Sequence, residues 1–451
     1  MNSMAKTQRI VLIVSILASF VAFLDGSVVN VALPAISRTL GGGLVTQEWV
    51  VDAYLITLGS FILLAGSLSD LFGRKRILTI GLIGFGAASI MCSLAPSSIF
   101  LIVSRALQGI AGALLVPSSL ALIMSTFKGS EKGKAIGQWT AWTGIAFIIG
   151  PLLGGFLVDT ASWRWVFAIN ILPIAICLWL LRSIESPELT KAVKLDIWGA
   201  ILCSVGLIGI VFSLIEQPHY GWATRTALPL AVGAVCLIAF IVYEGKVKNA
   251  MLPLSLFKVR NFSMGNVATF MIYGGLSLAS FIIVIFLQQV GHFSALSAGM
   301  ALLPVTLCMF LLSSRFGQLA SKYGPRLFMT AGPLFAGLGY ALMLGVSSDI
   351  NYWTQLFPGI LLFAVGLSMT VAPLTAAILG DIDGARSGIA SAVNNAVARI
   401  AGLIAVAFVG VITGVHLNVQ GLHKVIEVVA VLFILGSIIS WLGIRNHETE
   451  Q

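Results

Sequence analysis

The chain has 451 residues, 58% of them hydrophobic and 10% charged, with a net charge of +9 and a mean hydropathy of +1.02. A soluble domain of this length needs far more charge to cover its surface, so the composition excludes a soluble globular protein and makes lipid the solvent for most side chains. The 47 glycines suit helices that pack closely within a bilayer.

A helix crosses the bilayer core with about 20 apolar residues. In chain order, the apolar runs predict spans near 10–36, 48–69, 77–95, 98–124, 134–157 and 163–182. The first opens after Lys6 and Arg9. It is too long for a cleavable leader and has no small-residue cleavage site before Asp25, so it reads as a span. A charged stretch from Arg182 to Asp196 follows, then runs near 197–216 and 226–243, then a basic stretch from Glu244 to Arg260. Six further runs lie near 262–288, 295–320, 327–347, 353–379, 388–414 and 424–444. The expectation is an all-α membrane protein of fourteen spans. Residues 1–184 form an N-terminal six-helix bundle, 185–260 a linker with two transmembrane helices, and 261–451 a C-terminal six-helix bundle.

The charges test this layout. With a cytoplasmic N-terminus, only Arg38, Arg164, Arg225 and Lys424 fall outside and only Arg105 and Arg399 within spans. The other twenty of the 26 Lys and Arg fall inside, the bias that orients membrane proteins. The +9 charge is thereby an orientation signal rather than a nucleic-acid surface, and both termini are cytoplasmic. Cys92, Cys177, Cys203, Cys236 and Cys308 lie within apolar runs with no CxxC pair and read as packing residues. Neither a metal-ligand cluster nor a GxxxxGK[ST] phosphate loop appears, which leaves an ion gradient, or the substrate's own gradient, as the energy source and implies no cofactor.

An internal repeat supports two halves. Gly66-Ser-Leu-Ser-Asp70-Leu-Phe-Gly73 follows the second span, and Gly317-Gln-Leu-Ala-Ser321-Lys-Tyr-Gly324 follows the second span of the last six, each with basic residues just after. In the first copy, glycines permit a tight turn at the membrane face, and Asp70 could latch onto a helix N-terminus or a nearby Arg. The plainer reading is that Arg74 to Arg76 only anchor topology.

Several motifs resemble the major facilitator superfamily. The Gly66–Arg76 loop is similar to its signature loop nearly residue for residue. Arg105-Ala-Leu-Gln108-Gly109-Ile-Ala-Gly112 resembles its second motif. Gly144, Gly150, Pro151, Gly154 and Gly155 resemble the motif of its antiporter branch. Leu24-Asp25-Gly26-Ser27-Val28-Val29-Asn30-Val31-Ala32-Leu33-Pro34 and Trp163-Arg164-Trp165-Val166-Phe167, with Asn170 and Pro173, resemble the fourteen-helix drug:proton antiporters. Ser321 departs from the Asp of a full second loop copy. The resemblance implies a multidrug-efflux antiporter with protons and amphipathic drugs as partners, and Asn30 and Gln108 among its substrate-contacting residues.

The residues themselves carry separate content. Arg105, Gln108, Gly109 and Gly112 fall on one helix face. An Arg or Asp within a span is costly unless it pairs or meets water. Counted at 1.5 Å per residue from the outer ends, Asp25 lies about 13 Å deep, Arg105 about 10 Å and Asp52 about 7 Å, so Asp25 and Arg105 can face each other. Asp25 is the candidate proton-coupling carboxylate with Arg105 tuning it; the alternative is a static buried ion pair. Asp52, near the outer mouth, is a candidate for attracting cationic substrates, against a solvated helix-start carboxylate. Gly144, Gly150, Pro151, Gly154 and Gly155 suggest a bent, close-packed rocking helix, or packing alone. Ser387, Ser391, Asn395 and Arg399 recur every four residues, and Arg399 is a mid-membrane cation that could contact substrate or tie helices together.

The expected function is proton-coupled export of amphipathic, cationic drugs by alternating access, in a bacterial plasma or inner membrane. A dedicated exporter of one metabolite or antibiotic is the near rival. A non-transporting receptor or scaffold has little need of such costly intramembrane charges, and no nucleophile–base pair suggests an enzyme.

Overall fold

The computed structural model describes residues 6–127, 129–184, 196–247, 250–347, 349–382, 386–414 and 417–446. The side chains of residues 63, 70, 129, 130 and 387 also lie outside the described set, so the expected Asp70 latch and the Ser387 end of the Ser387–Arg399 stripe fall beyond it.

Long apolar stretches, which must satisfy every backbone group internally in lipid, fold here as helices. In chain order these are α1 (Lys6–Leu40), α2 (Gly43–Phe72), α3 (Arg74–Ser93), α4 (Ser98–Thr126), α5 (Gly129–Thr160), α6 (Trp165–Ala168), α7 (Ile171–Leu181), α8 (Ile197–Tyr220) and α9 (Thr224–Glu244). There follow α10 (Arg260–Gln289), α11 (Ala295–Ala301), α12 (Leu303–Tyr323), α13 (Pro325–Leu342), α14 (Phe357–Gly380), α15 (Ser387–Ala407), α16 (Val409–Thr413) and α17 (Val419–Gly443). Among the described residues no β-strand occurs, and 12 helices are long and apolar enough to cross a membrane. The other two expected spans are also helical. One is α2, 30 residues long, and the other is the shorter apolar stretch Trp165–Leu181, interrupted at Ile169 and Asn170.

The chain divides into two units. The first comprises Met1–Ile210, Pro229–Met251 and Ser294–Leu296, and the second Val211–Leu228, Leu252–Phe293 and Ser297–Gln451. The bounds of the two units fall within α8, between Ile210 and Val211, and within α9, between Leu228 and Pro229. Within the first unit, α1 packs on α4, α5 and α7, and α3 and α2 pack on α4, with α3 also on α7. Within the second, α10 packs on α14, α15 and α17, and α13 and α12 pack on α14, with α13 also on α17. The same six pairings recur in the same chain order, so the repeat glimpsed in the loops extends to the helix packing.

The loops repeat in detail. Gly73 (φ 93°, ψ 131°) joins α2 to α3, and Gly324 (φ 86°, ψ 150°) joins α12 to α13. A side chain is strained at such φ, which is why each loop copy ends in Gly. Two residues further on, Lys75 Nζ donates to the Ile184 carbonyl just beyond α7, and Arg326 Nε donates to the Trp441 carbonyl near the end of α17 (2.9 Å). A cation at the end of a helix satisfies its last carbonyls and complements its dipole. The basic residues after each loop therefore tie the third span of each half to its last. Arg260 completes the cap on α17 by donating to the Leu442 and Gly443 carbonyls (2.8 and 2.9 Å).

Small residues set the helix spacing unevenly. A Cβ at Gly109 would strike the Tyr54 carbonyl of α2, and one at Gly150 or Gly154 would strike Ser27 or Val28 of α1. Gly66 and Gly144 face open space, so close packing does not account for glycine there. Pro151 lies inside an α5 that continues through it. Gly109→Ala is expected to force α2 and α4 apart at a cost of about 1–3 kcal/mol. Gly144→Ala should leave thermal unfolding in detergent unchanged or raise its midpoint, because helix propensity favours Ala and nothing stands in its way.

Candidate functional site

Asp25 sits halfway along α1, fully buried, and is met by donors from one other helix, α4, and from one helix cap. Arg105 of α4 donates from its NH1 to Asp25 Oδ2 at 2.6 Å, and Gln108, one turn on, donates from Nε2 to Asp25 Oδ1 at 2.9 Å. Asn170, at the start of α7, donates from Nδ2 to the same Oδ1 at 2.9 Å. Gln108 also donates to Ser89 Oγ of α3 (3.0 Å) and receives Arg105 NH1 on its Oε1 (2.7 Å). Arg105 Nε donates to the Val50 carbonyl of α2 (3.0 Å), and the guanidinium lies over the Tyr54 ring at 4.3 Å. Arg105 is 2% exposed and Asp25, Gln108, Ser89 and Asn170 are 0% exposed.

Charge-assisted hydrogen bonds of this length are the strong class, and a buried ion pair survives only when its remaining donors and acceptors are also met. Here two of the Arg105 nitrogens and both Asp25 oxygens are engaged. The i, i+3 spacing of Arg105 and Gln108 lets a single face of α4 supply both donors. The depth estimate brought Asp25 and Arg105 together, and the structure places them in contact. Gln108, expected to touch substrate, lies inside this network. Ser89, Asn170 and the Val50 carbonyl are the members that residue-type reasoning passed over. Asn170 was visible only as part of a family-like motif, and its break in the α6–α7 helix is the physical sign that it does something other than span.

Asp52 lies on α2 one turn beyond Glu48, and both are 0% exposed. Neither Asp52 oxygen has a hydrogen-bond partner among the described residues, in contrast to Asp25. The expected outer-mouth carboxylate is therefore an enclosed one. Asn30 is half-buried on α1, one and a half turns beyond Asp25. On α5, Gly150 and Gly154 bring the helix against α1, and Ser27 Oγ donates to the Ala146 carbonyl (3.2 Å). Gly155 lies against Leu296, and the Asp159 carboxylate accepts the backbone N–H of Ala295 (3.0 Å) and Leu296 (2.8 Å), residues that belong to the first unit. Asn395 on α15 is exposed and Arg399 half-buried. No group of three or more His, Cys, Asp or Glu that could hold a metal occurs among the described residues.

Two halves with repeated helix pairing, the first holding a buried, hydrogen-bonded Asp25–Arg105 pair at membrane depth, are the architecture of a polytopic membrane transport protein. The chain belongs to the Major Facilitator Superfamily, whose family model matches residues 15–406. It is 33% identical over 423 residues to "Multidrug resistance protein Stp" of Mycobacterium tuberculosis, covering 92% of this chain and 78% of that one. It is 31% identical over 457 residues to "Methylenomycin A resistance protein" of Bacillus subtilis, covering 99% and 97%. A D-xylose-proton symporter of known structure shares the fold, with a TM-score of 0.71 at 15% identity over 98% of this chain and 99% of that one. The chain is a transporter, not an enzyme.

Breaking the pair from one side strands a buried charge. Asp25→Leu or Arg105→Met alone is expected to cost about 3–5 kcal/mol. The double variant should recover part of that loss, which a double-mutant cycle of detergent unfolding midpoints would read as a favourable coupling.

Proposed function

We propose that this protein is a proton-coupled exporter of amphipathic, cationic small molecules. It spans a bacterial plasma membrane fourteen times with both termini cytoplasmic, as 1–184, 185–260 and 261–451, and works by alternating access. The observation that carries the reading is the buried Asp25–Arg105–Gln108–Asn170 network. It puts one carboxylate, at membrane depth, under the control of a cation on a neighbouring helix. Relatives named for multidrug or antibiotic resistance support the direction of transport and the kind of cargo.

Asp25 is the coupling group and Arg105 its partner. A proton arriving on Asp25 removes the charge that holds Arg105, so protonation exchanges the α1–α4 ion pair for a weaker contact and lets the helices shift. One charge moved across the membrane potential supplies about 2.3 kcal/mol per 100 mV, sufficient for concentrative export. Asp52, whose oxygens have no hydrogen-bond partner among the described residues, serves the cationic centre of the cargo. Asn30, Gln108, Asn395 and Arg399 complete the polar lining, and the glycines and Pro151 of α5, with the Gly66–Arg74 loop, form the moving seams. Full-length likeness to a protein named for resistance to one compound favours a second reading, a dedicated exporter on the same scaffold.

In everted vesicles energised by an imposed pH gradient, Asp25→Asn should lower proton-driven ethidium accumulation at least about tenfold, while substrate exchange without a gradient persists; undiminished proton-driven accumulation would overturn the coupling role. Asp52→Asn should weaken transport of a dication by about tenfold more than that of a monocation of equal size, the scale of one charge-assisted contact. Equal losses would remove Asp52 from the cargo site. A resistance survey in which a single compound is exported would select the dedicated reading.

A further inference from the structure

Within the second unit, α10 and α15 pack along a seam whose chemistry changes with depth. Nearest the start of α15, Asn394 Nδ2 donates to Asn266 Oδ1 (3.2 Å) and Thr269 Oγ1 (2.9 Å). Further along, the helices close on small residues: a Cβ at Gly402 would strike Ser277, and Gly274 lies against the Ala401 carbonyl. Between these two levels stand Tyr273 of α10 and Arg399 of α15, with the guanidinium in electrostatic reach of the Tyr273 hydroxyl.

Ser391, Asn395 and Arg399 recur every four residues and so form one stripe of α15 beside that seam. Asn395 is exposed, and its amide N–H donates back to the Ser391 carbonyl of its own helix (3.0 Å). Arg399 lies about 18 Å along α15 from Ser387, close to the middle of a core about 30 Å thick. An exposed amide and a guanidinium at that depth belong to a water-filled cavity rather than to lipid. The charge pattern gives the cavity wall a sign. From α10 through α16 the helices contain no Asp or Glu, whereas the first unit carries Asp25, Glu48 and Asp52 in its spans. This wall therefore presents a positive field lined by hydrogen-bond donors.

We propose that the Ser391–Asn395–Arg399 stripe, with the Tyr273 hydroxyl, is a subsite for the carboxylate of an acidic or amphoteric cargo molecule. The proposal rests on the export function stated above and widens its cargo from cations to molecules bearing an acid. A guanidinium offers a planar pair of N–H donors matched to a carboxylate, and the Ser391 and Tyr273 hydroxyls and the Asn395 amide supply further donors at the edge of the same stripe. An apolar body is left to the surrounding helix faces, the usual division of labour in a small-molecule site.

The test uses two probes with one body and opposite heads, 1-pyrenebutyrate and 1-pyrenebutyl-trimethylammonium, titrated by pyrene fluorescence into the full-length protein in detergent. In Arg399→Gln the ratio of the carboxylate Kd to the ammonium Kd should rise at least about tenfold, the scale of one charge-assisted hydrogen bond. Arg399→Lys, which keeps the charge, should hold that ratio within about threefold, and Tyr273→Phe should raise it about two- to fivefold. Both probes meet the same preparation, so a reduced folded fraction leaves the ratio unchanged. The proposal is overturned if the wild-type protein does not bind pyrenebutyrate, or if Arg399→Gln moves the ratio by less than threefold, as a helix tie between Arg399 and Tyr273 would predict. Equilibrium binding needs no proton gradient. Failure of gradient-driven transport by the wild-type protein would therefore strike the export reading alone, and loss of pyrenebutyrate binding would strike the subsite alone.

Discussion

A guanidinium buried in the middle of a membrane-spanning helix can exist only where the rest of the protein answers it. Arg105 is answered by the Asp25 carboxylate, the Gln108 amide, the Val50 carbonyl and the face of Tyr54. Each of these comes from a particular rotation of its own helix, so the ion pair fixes how α1, α2 and α4 are turned relative to one another. Through Gln108 and Asn170 it reaches Ser89 of α3 and the start of α7. Among the described residues α5 contributes nothing to this network; glycines let it lie directly against α1, and Ser27 donates to the Ala146 carbonyl and Trp139 to Ser19 across the contact.

That contrast has a functional sense. Hydrogen bonds to a charge in low dielectric are strong and directional, and they change abruptly when the charge is neutralised. A glycine seam has no such preference and tolerates sliding. The first half thus combines a buried ion-pair cluster with one helix packed closely through glycines. The second half repeats the helix pairing but not the chemistry: its α10–α15 seam, the counterpart of the α1–α5 seam, is joined by neutral amides and a hydroxyl, and its α15 carries the cation Arg399.

Much of this was legible beforehand because membranes make simple demands. Runs of apolar residues must be helices, loops must carry the basic residues, and an intramembrane Asp and Arg at similar depth must meet. The paired Gly73 and Gly324 were legible for the same reason, since each loop copy ends where only glycine is comfortable. Asn170 and Ser89 were not, because amides and hydroxyls scattered through helices are ordinary, and only rotation of α3 and α7 toward Asp25 distinguishes them. Gln108 was only partly legible, for the converse reason. Its position beside Arg105 marks a polar face without saying whether that face meets cargo or protein. Asp52 illustrates the same limit: its depth suggested an open mouth, and packing enclosed it.

The sequence by itself determined the helical membrane architecture, its internal repeat and the pairing of Asp25 with Arg105, because hydropathy, spacing and depth are properties of a chain read along its own axis. Tertiary structure alone decided which polar groups complete that pair, that Lys75 and Arg326 cap the closing helix of their own halves, and that Gly144 stands in open space while Gly150 and Gly154 are filled by α1. Those are questions of azimuth, of which way each helix faces its neighbours, and only the packing of all the helices together sets them.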